Sequence, residues 1–254
     1  MIVEGAGPKA IVMIHGWPDT YRLWDAQVDA LKSAYRCVRF TLPGFESAET
    51  RRAYTLDEVV EAIRGVVETA CPGERVTLLL HDWGCFYGYQ FAMKYPQLVE
   101  RVVGVDIGDA GSRHHRAQLG TRGMLIIFLY QTWLALAWRI GGRIGDAMAR
   151  GMARAMRCPT DPRTIHAQMG YPYAVLWLGA AGGVQGLKVF KPHCPMLFMY
   201  GERKPVTFHS EAWKERIASI ATNRVMAFQT GHWIMVQQPR EFNAALLAWL
   251  AETS

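Results

Sequence analysis

Val76-Thr77-Leu78-Leu79-Leu80-His81-Asp82-Trp83-Gly84-Cys85 is an aliphatic run, a His-Asp pair and the start of a second apolar stretch. The first run has the length and composition of a buried parallel strand. Residues 86–95, ended by Pro96, read as a helix. Asp82 therefore stands at a sharp strand-to-helix turn, where two readings are open. An aspartate at such a place is commonly an N-cap. The same turn can also lift a nucleophile clear of a parallel sheet, with the N–H groups of the helix start favouring its charge. A carboxylate that attacks saturated carbon becomes an ester, which water cleaves at the carbonyl, whereas a serine would become an ether with no simple return. As a nucleophile, Asp82 points to substitution at saturated carbon.

Outward from this stretch, short apolar runs alternate with amphipathic ones: residues 10–15, a helix near 23–33, residues 37–40, a helix from Thr55, then residues 102–106. Alternating strands and helices predict an α/β fold, a mostly parallel sheet flanked by helices. From Gly111 to Lys191 the pattern gives way to a Trp-, Met-, Gly- and Arg-rich region of helical periodicity, and it resumes at 196–200, 211–219, 225–228 and 241–251. Residues 1–110 and 191–254 thus form the expected core, with 111–190 as an inserted helical cap. In such sheets active groups gather beyond the carboxyl ends of the strands. His15-Gly16-Trp17-Pro18, Asp82, Asp106 and Gly231-His232-Trp233 all fall at such ends.

The chain has 254 residues, half of them hydrophobic, and a net charge of +6. That suits one large domain with an insertion better than two full domains. Cys37, Cys71, Cys85, Cys158 and Cys194 are odd in number and lack C-x-x-C or Cys/His spacing, which speaks against a disulfide framework or a zinc site and for a reducing compartment. The first eight residues contain no basic segment leading into an apolar run, so a cytoplasmic protein without a secretory signal is expected.

Charge is unevenly placed. Between Gly111 and Pro192 eleven Lys and Arg residues face only Asp146 and Asp161, an excess of nine that leaves the remainder at −3. On one continuous helix, Arg139, Arg143, Arg150, Arg154 and Arg157 would form a single stripe opposite Ile144, Met148 and Met152. Gly141, Gly142, Gly145 and Gly151 weaken such a helix and no nucleic-acid motif accompanies it, so a solvated face is expected rather than a nucleic-acid or membrane partner. Residues 123–138 are uncharged but contain Gln131 and Thr132 and are shorter than a usual bilayer span. A buried or pocket-lining helix is expected there, not a stable membrane insertion.

These motifs together resemble the α/β-hydrolase superfamily, and within it the aspartate-nucleophile branch of epoxide hydrolases, close to haloalkane dehalogenases. The likeness covers nearly the whole core, in HGWPDTYRLW from His15, PGFES from Pro43, HDWG from His81 and TGHW from Thr230. It implies an epoxide hydrolase that makes a vicinal diol through a covalent ester on Asp82, with His232 activating water and no metal or organic cofactor. His15-Gly16-Trp17-Pro18 is similar to the H-G-x-P of the branch, whose proline follows a cis peptide. The backbone N–H groups of Trp17 and Trp83 are the implied oxyanion hole.

The commonest acid of the superfamily, the aspartate of G-x-x-D, is replaced by Lys204 in Gly201-Glu202-Arg203-Lys204. Relatives that carry the acid one strand earlier point to Asp106, with Glu202 and Asp109 as alternates, Asp109 also fitting a helix cap. Cap tyrosines that donate to the leaving alkoxide are implied at Tyr130 and Tyr173, with Tyr171 as alternate; a core role suits a tyrosine in an apolar helix equally. The implied partners are a hydrophobic epoxide and water, and a homodimer is left open. A haloalkane dehalogenase would use the same Asp82 and His232, with a halide donor from Trp83 and a cap tryptophan such as Trp133, Trp138 or Trp177. A non-catalytic relative would bind a hydrophobic ligand instead. The likeness also implies a sheet one strand short, because the chain begins at the place of the relatives' second strand. Leu80 stands two before the nucleophile where a small residue is common. Cys85 reads as a packed residue, and His15 and His81 as braces for loops around the site.

Overall fold

The computed structural model describes residues 1–46 and 51–253, so that Ser47 of the PGFES motif lies outside the described residues. Seven strands form one sheet: β1 Ile2–Glu4, β2 Lys9–Ile14, β3 Tyr35–Arg39, β4 Val76–His81, β5 Val99–Val105, β6 Met196–Gly201 and β7 Arg224–Phe228. Their order is β1-β3-β2-β4-β5-β6-β7, with every pair parallel except β1 with β3. β4 therefore lies at the centre, with the aliphatic run of the opening motif buried on both faces.

Side-chain alternation divides the interior into two cores. Ala10, Val12 and Ile14 of β2 face one, and Ile11 and Met13 face the other. Helices α2 Leu56–Ala70, α3 Trp83–Lys94 and α7 Glu211–Ala218 cover the first; α1 Asp25–Leu31, α8 Ile234–Gln237 and α9 Pro239–Glu252 cover the second. Phe242, Leu246, Trp249 and Leu250 are the buried residues of α9 and share one helical face. α2 begins with a complete capping box, Thr55 with Glu58, which satisfies two backbone donors that the first turn leaves open.

Between β5 and β6 the chain forms α4 Arg113–Ile140, α5 Gly142–Ala155 and α6 Tyr171–Leu178. Ser112 caps α4 by accepting from the His115 amide at 3.0 Å. Gly120 bends α4 and Gly141, at φ 67°, ends it. That break corrects the continuous arginine stripe. Arg139 belongs to α4, Arg143, Arg150 and Arg154 to α5, and Arg157 follows the end of α5. Gly145 does not weaken α5 but lets it approach α4, since a Cβ there would stand 2.3 Å from the Ala137 carbonyl oxygen. Residues 123–138 form the pocket-lining alternative of the expected helix, with Met124, Ile127, Phe128, Tyr130 and Gln131 on the cavity wall. Gly123, Leu134, Ala135 and Ala137 are buried, whereas Leu125, Phe128, Leu129, Trp133 and Leu136 are exposed.

Candidate active site

Asp82 has φ 52° and ψ −123°, a backbone conformation that costs a non-glycine residue about 1–3 kcal/mol and lifts its side chain off the end of β4. It makes no side-chain cap to α3, so the N-cap reading is not what the structure contains. Its Oδ1 accepts from the Trp17 amide at 2.7 Å, and the peptide bond that follows, Trp17–Pro18, is cis. Two glycines make this approach possible. A Cβ on Gly16 would lie 2.3 Å from Asp82 Oδ1, and one on Gly84 would lie 2.2 Å from the Ile14 carbonyl oxygen. Leu80, larger than is usual before such a turn, is accommodated by Gly88 of α3, where a Cβ would come within 2.5 Å of it.

His232 bridges two carboxylates. Its Nε2 is 3.4 Å from Asp82 Oδ2, and its Nδ1 hydrogen-bonds Asp106 Oδ2. Asp106, at φ 70°, is fully buried, and its Oδ1 accepts from the Gly201 amide at 3.1 Å and from the Lys204 ammonium. Burial alone would pull His232 down, but the two carboxylates outweigh it and raise its pKa to about 9. Burial opposes ionisation of Asp106, yet Lys204 and His232 hold it below the usual carboxylate range. Asp82 is likewise kept ionised against burial, by the His232 hydrogen bond and charge and by the Trp83 N–H.

The alternates fall elsewhere. Glu202 is exposed and accepts from Gln229. Asp109 is not itself a helix cap: it joins two caps, accepting from Ser112 Oγ at 2.6 Å and from the Ser210 amide and hydroxyl, both at 2.7 Å. Tyr171 packs edge-on to Phe45 and Tyr54, away from Asp82. Tyr130 and Tyr173 line the same cavity of about 480 Å³ as Asp82 and Trp83, with their rings 6.2 Å apart. The remaining wall is largely apolar, from Phe86, Ile107, Ile127, Leu176 and Phe208.

His15 accepts from the Leu42 amide at 2.9 Å through Nε2, bracing the loop after β3. His81 donates from Nε2 to the His232 carbonyl at 3.1 Å, and burial lowers its pKa to about 3. Cys85 is buried, with Sγ 3.3 Å from the Leu80 carbonyl oxygen. All five cysteines are free, and among the described residues no group of His, Cys, Asp and Glu could hold a metal ion.

Three participants were not singled out from sequence. Lys204 stands in place of the usual acid and binds the acid that replaces it; the coincidence of a lost aspartate there and a gained one at 106 is the signal that joins them. Gln131 donates to the Tyr130 hydroxyl at 2.9 Å and accepts from Trp177 Nε1 at 2.8 Å, which fixes that end of the cavity. Asp19, four residues after His15, accepts from Trp233 Nε1 at 2.9 Å and from the Thr160 hydroxyl. Burial raises its pKa to about 6.

Comparison with known proteins bears on the family and the fold. Epoxide hydrolase 1 and Epoxide hydrolase 2 of Caenorhabditis elegans are 29% and 31% identical to the chain over 119 and 106 residues, 45% and 40% of its length. The matches take in 29% and 30% of those two longer proteins. An epoxide hydrolase of Bacillus megaterium, solved in complex with an inhibitor, superposes with a TM-score of 0.73 at 20% identity, covering 98% of this chain and 95% of that one. Residues 11–245 match the family described as the alpha/beta hydrolase family, and with most of its length inside that match the chain belongs to the alpha/beta hydrolase family.

Proposed function

We propose that the protein is an epoxide hydrolase that opens an epoxide to a vicinal diol through an ester on Asp82. Residues 1–110 and 191–254 act as the core and 111–190 as a cap over the site. The observation that carries the reading is the placement of Asp82, with Oδ1 on the Trp17 amide, Oδ2 toward His232 and two tyrosines in the same cavity.

Ionised Asp82 attacks an epoxide carbon from the back, while the Tyr130 and Tyr173 hydroxyls hydrogen-bond the ring oxygen and one gives its proton to the forming alkoxide. The ester removes the negative charge of Asp82, and with it one of the two carboxylates that keep His232 protonated. His232 can then give its proton, through water, to the tyrosinate left by ring opening, and so become the base that takes a proton from the water attacking the ester carbonyl. The oxygen held by Trp17 and Trp83 carries the developing charge, and Asp106 stabilises the imidazolium that forms. Collapse breaks the ester C–O bond, the expelled alkoxide takes the proton of the carboxyl group, and the diol leaves with Asp82 again ionised.

Haloalkane dehalogenation, the rival use of the same pair, has less support. The indole N–H groups of Trp133, Trp138 and Trp177 are given to Met148, Gln168 and Gln131, which leaves no cap tryptophan ready for a halide.

The test is intact mass spectrometry of His232→Ala protein incubated with styrene oxide and with a haloalkane. An epoxide adduct adds the whole mass of the epoxide; a haloalkane adduct adds its mass less hydrogen halide. Asp82→Asn should form neither. No adduct on Asp82, with no turnover of either class by the wild-type protein, would hand the reading to a non-catalytic hydrophobic-ligand binder.

A further inference from the structure

The solvent-facing side of α4 carries Leu125, Phe128, Leu129, Trp133, Leu136 and Ile140, each at least 45% exposed, with Phe128 at the rim of the cavity. They lie within half of the helix circumference. Phe128 stacks edge-on with Trp177 at 5.2 Å, which joins this face to Leu176 and Leu178 of α6, and Ile144 of α5 extends it beyond the Gly141 turn. An exposed apolar face of this extent marks an interaction surface.

The charges around it indicate what covers it. Arg122 and Arg139 fall in the same half of α4 and bracket its uncharged stretch, and Arg143 and Arg154 are exposed on α5. Among the described residues the only ion pair made within 111–192 joins Arg163 to Asp161, so none of these four is neutralised by a carboxylate. A second copy of the chain is a poor fit, because a two-fold contact would set the excess of nine cations against its own duplicate. An anionic bilayer satisfies both features. Apolar side chains enter the acyl boundary, tryptophans sit at the headgroup level, and arginines reach phosphates with their stems along the apolar face. α4 is long and apolar enough to cross a membrane, but Leu134, Ala135 and Ala137 are buried in the protein, so it can only lie in the interface plane.

We propose that α4 and α6 dock the protein on an anionic lipid surface, with the mouth of the Asp82 cavity turned to the bilayer. Met124, Phe128 and Trp177 belong both to the apolar surface and to the cavity wall. A water-insoluble molecule dissolved in the bilayer then reaches Asp82 without crossing bulk solvent. The docking does not depend on which reaction Asp82 performs.

The test is sedimentation of the full chain with vesicles of phosphatidylglycerol and phosphatidylcholine, against phosphatidylcholine alone. Binding should require the anionic lipid and weaken at roughly 0.5 M salt, where charges are screened over a few Å. Leu125→Glu with Leu129→Glu should reduce it about tenfold or more, since two carboxylates would enter the lipid boundary. Both side chains are more than half exposed, at 54% and 57%, and neither lines the cavity, so melting temperature and any Asp82 reaction with water-soluble substrate should stay unchanged. Arg122→Gln with Arg139→Gln should weaken binding to anionic vesicles alone. The proposal is overturned if the protein ignores anionic vesicles at low salt, or if light scattering shows a dimer that the Leu129→Glu change splits while lipid binding is absent.

Discussion

Lys204 is the residue whose removal reports most directly on the relay. Two hydrogen bonds across one carboxylate hold its ammonium and the His232 imidazole roughly 5 Å apart. At an effective dielectric of about 20, unit charges at that distance interact by roughly 3 kcal/mol, and screening by the intervening Asp106 and by relaxation leaves about one pKa unit as the expected observable. The perturbation is Lys204→Met in an Asp82→Asn background. Asparagine removes the charge that the ester would remove, with nearly the same shape, so His232 should fall from about 9 toward its ordinary range. Deleting the lysine takes away a cation that disfavours imidazolium, and His232 should rise by about one unit relative to Asp82→Asn alone. The titratable groups His81 and Asp19, which also couple to the ring, are common to both proteins. The assay is an NMR titration of the imidazole resonances, with His232→Gln providing the assignment. With Asp82 intact, Lys204→Met should form ester at the wild-type rate but hydrolyse it about threefold more slowly near neutral pH, approaching about tenfold at pH well below the His232 pKa, where the neutral fraction falls tenfold per unit. Lys204→Arg, which keeps the charge, should shift the titration little. Identical titrations of Asp82→Asn with and without Lys204, or a downward shift, would refute the reasoning.

Gly16→Ala should abolish ester formation, since the added methyl would stand 2.3 Å from Asp82 Oδ1; adduct formation at the wild-type rate would contradict that contact. Gly88→Ala should destabilise the fold by about 1–3 kcal/mol by overpacking against Leu80, and Leu80→Ala should cost less in that background than in wild type, measured by denaturant unfolding as a double-mutant cycle. His232 has its pKa raised from 6.5 to about 9 on folding, so its contribution to stability is complete below about pH 6.5 and is lost as pH climbs through 9. Melting temperature should therefore fall between those limits in the wild type more steeply than in His232→Ala, and parallel curves would count against the paired imidazolium. Tyr130→Phe and Tyr173→Phe should each slow ester formation by about 10²-fold while leaving ester hydrolysis intact, as followed by rapid-quench mass spectrometry.

The strand pattern, the strand-to-helix turn at Asp82 and the convergence of His15, Asp106 and His232 on one edge of the sheet were legible in the sequence, because burial on both faces demands continuous aliphatic runs and a parallel sheet places their ends together. β1 was not marked by periodicity, being three half-exposed residues. Tertiary structure turned a ranking among residues of equal chemistry into contacts. It set Tyr173 beside Asp82 and Tyr171 against Phe45, two positions apart on opposite sides of one helix turn. It gave Asp106 rather than Glu202 to His232, and it made Lys204 the partner of the acid instead of an exposed cation. It also divided the uncharged stretch of α4 into a packed face and a solvent face, which composition cannot distinguish from a wholly buried helix. Local pattern records how each segment meets a core. Which side chains share a carboxylate, a cavity or an open surface depends on contacts between segments far apart in the chain, and those exist only once the sheet and its helical insertion have closed on each other.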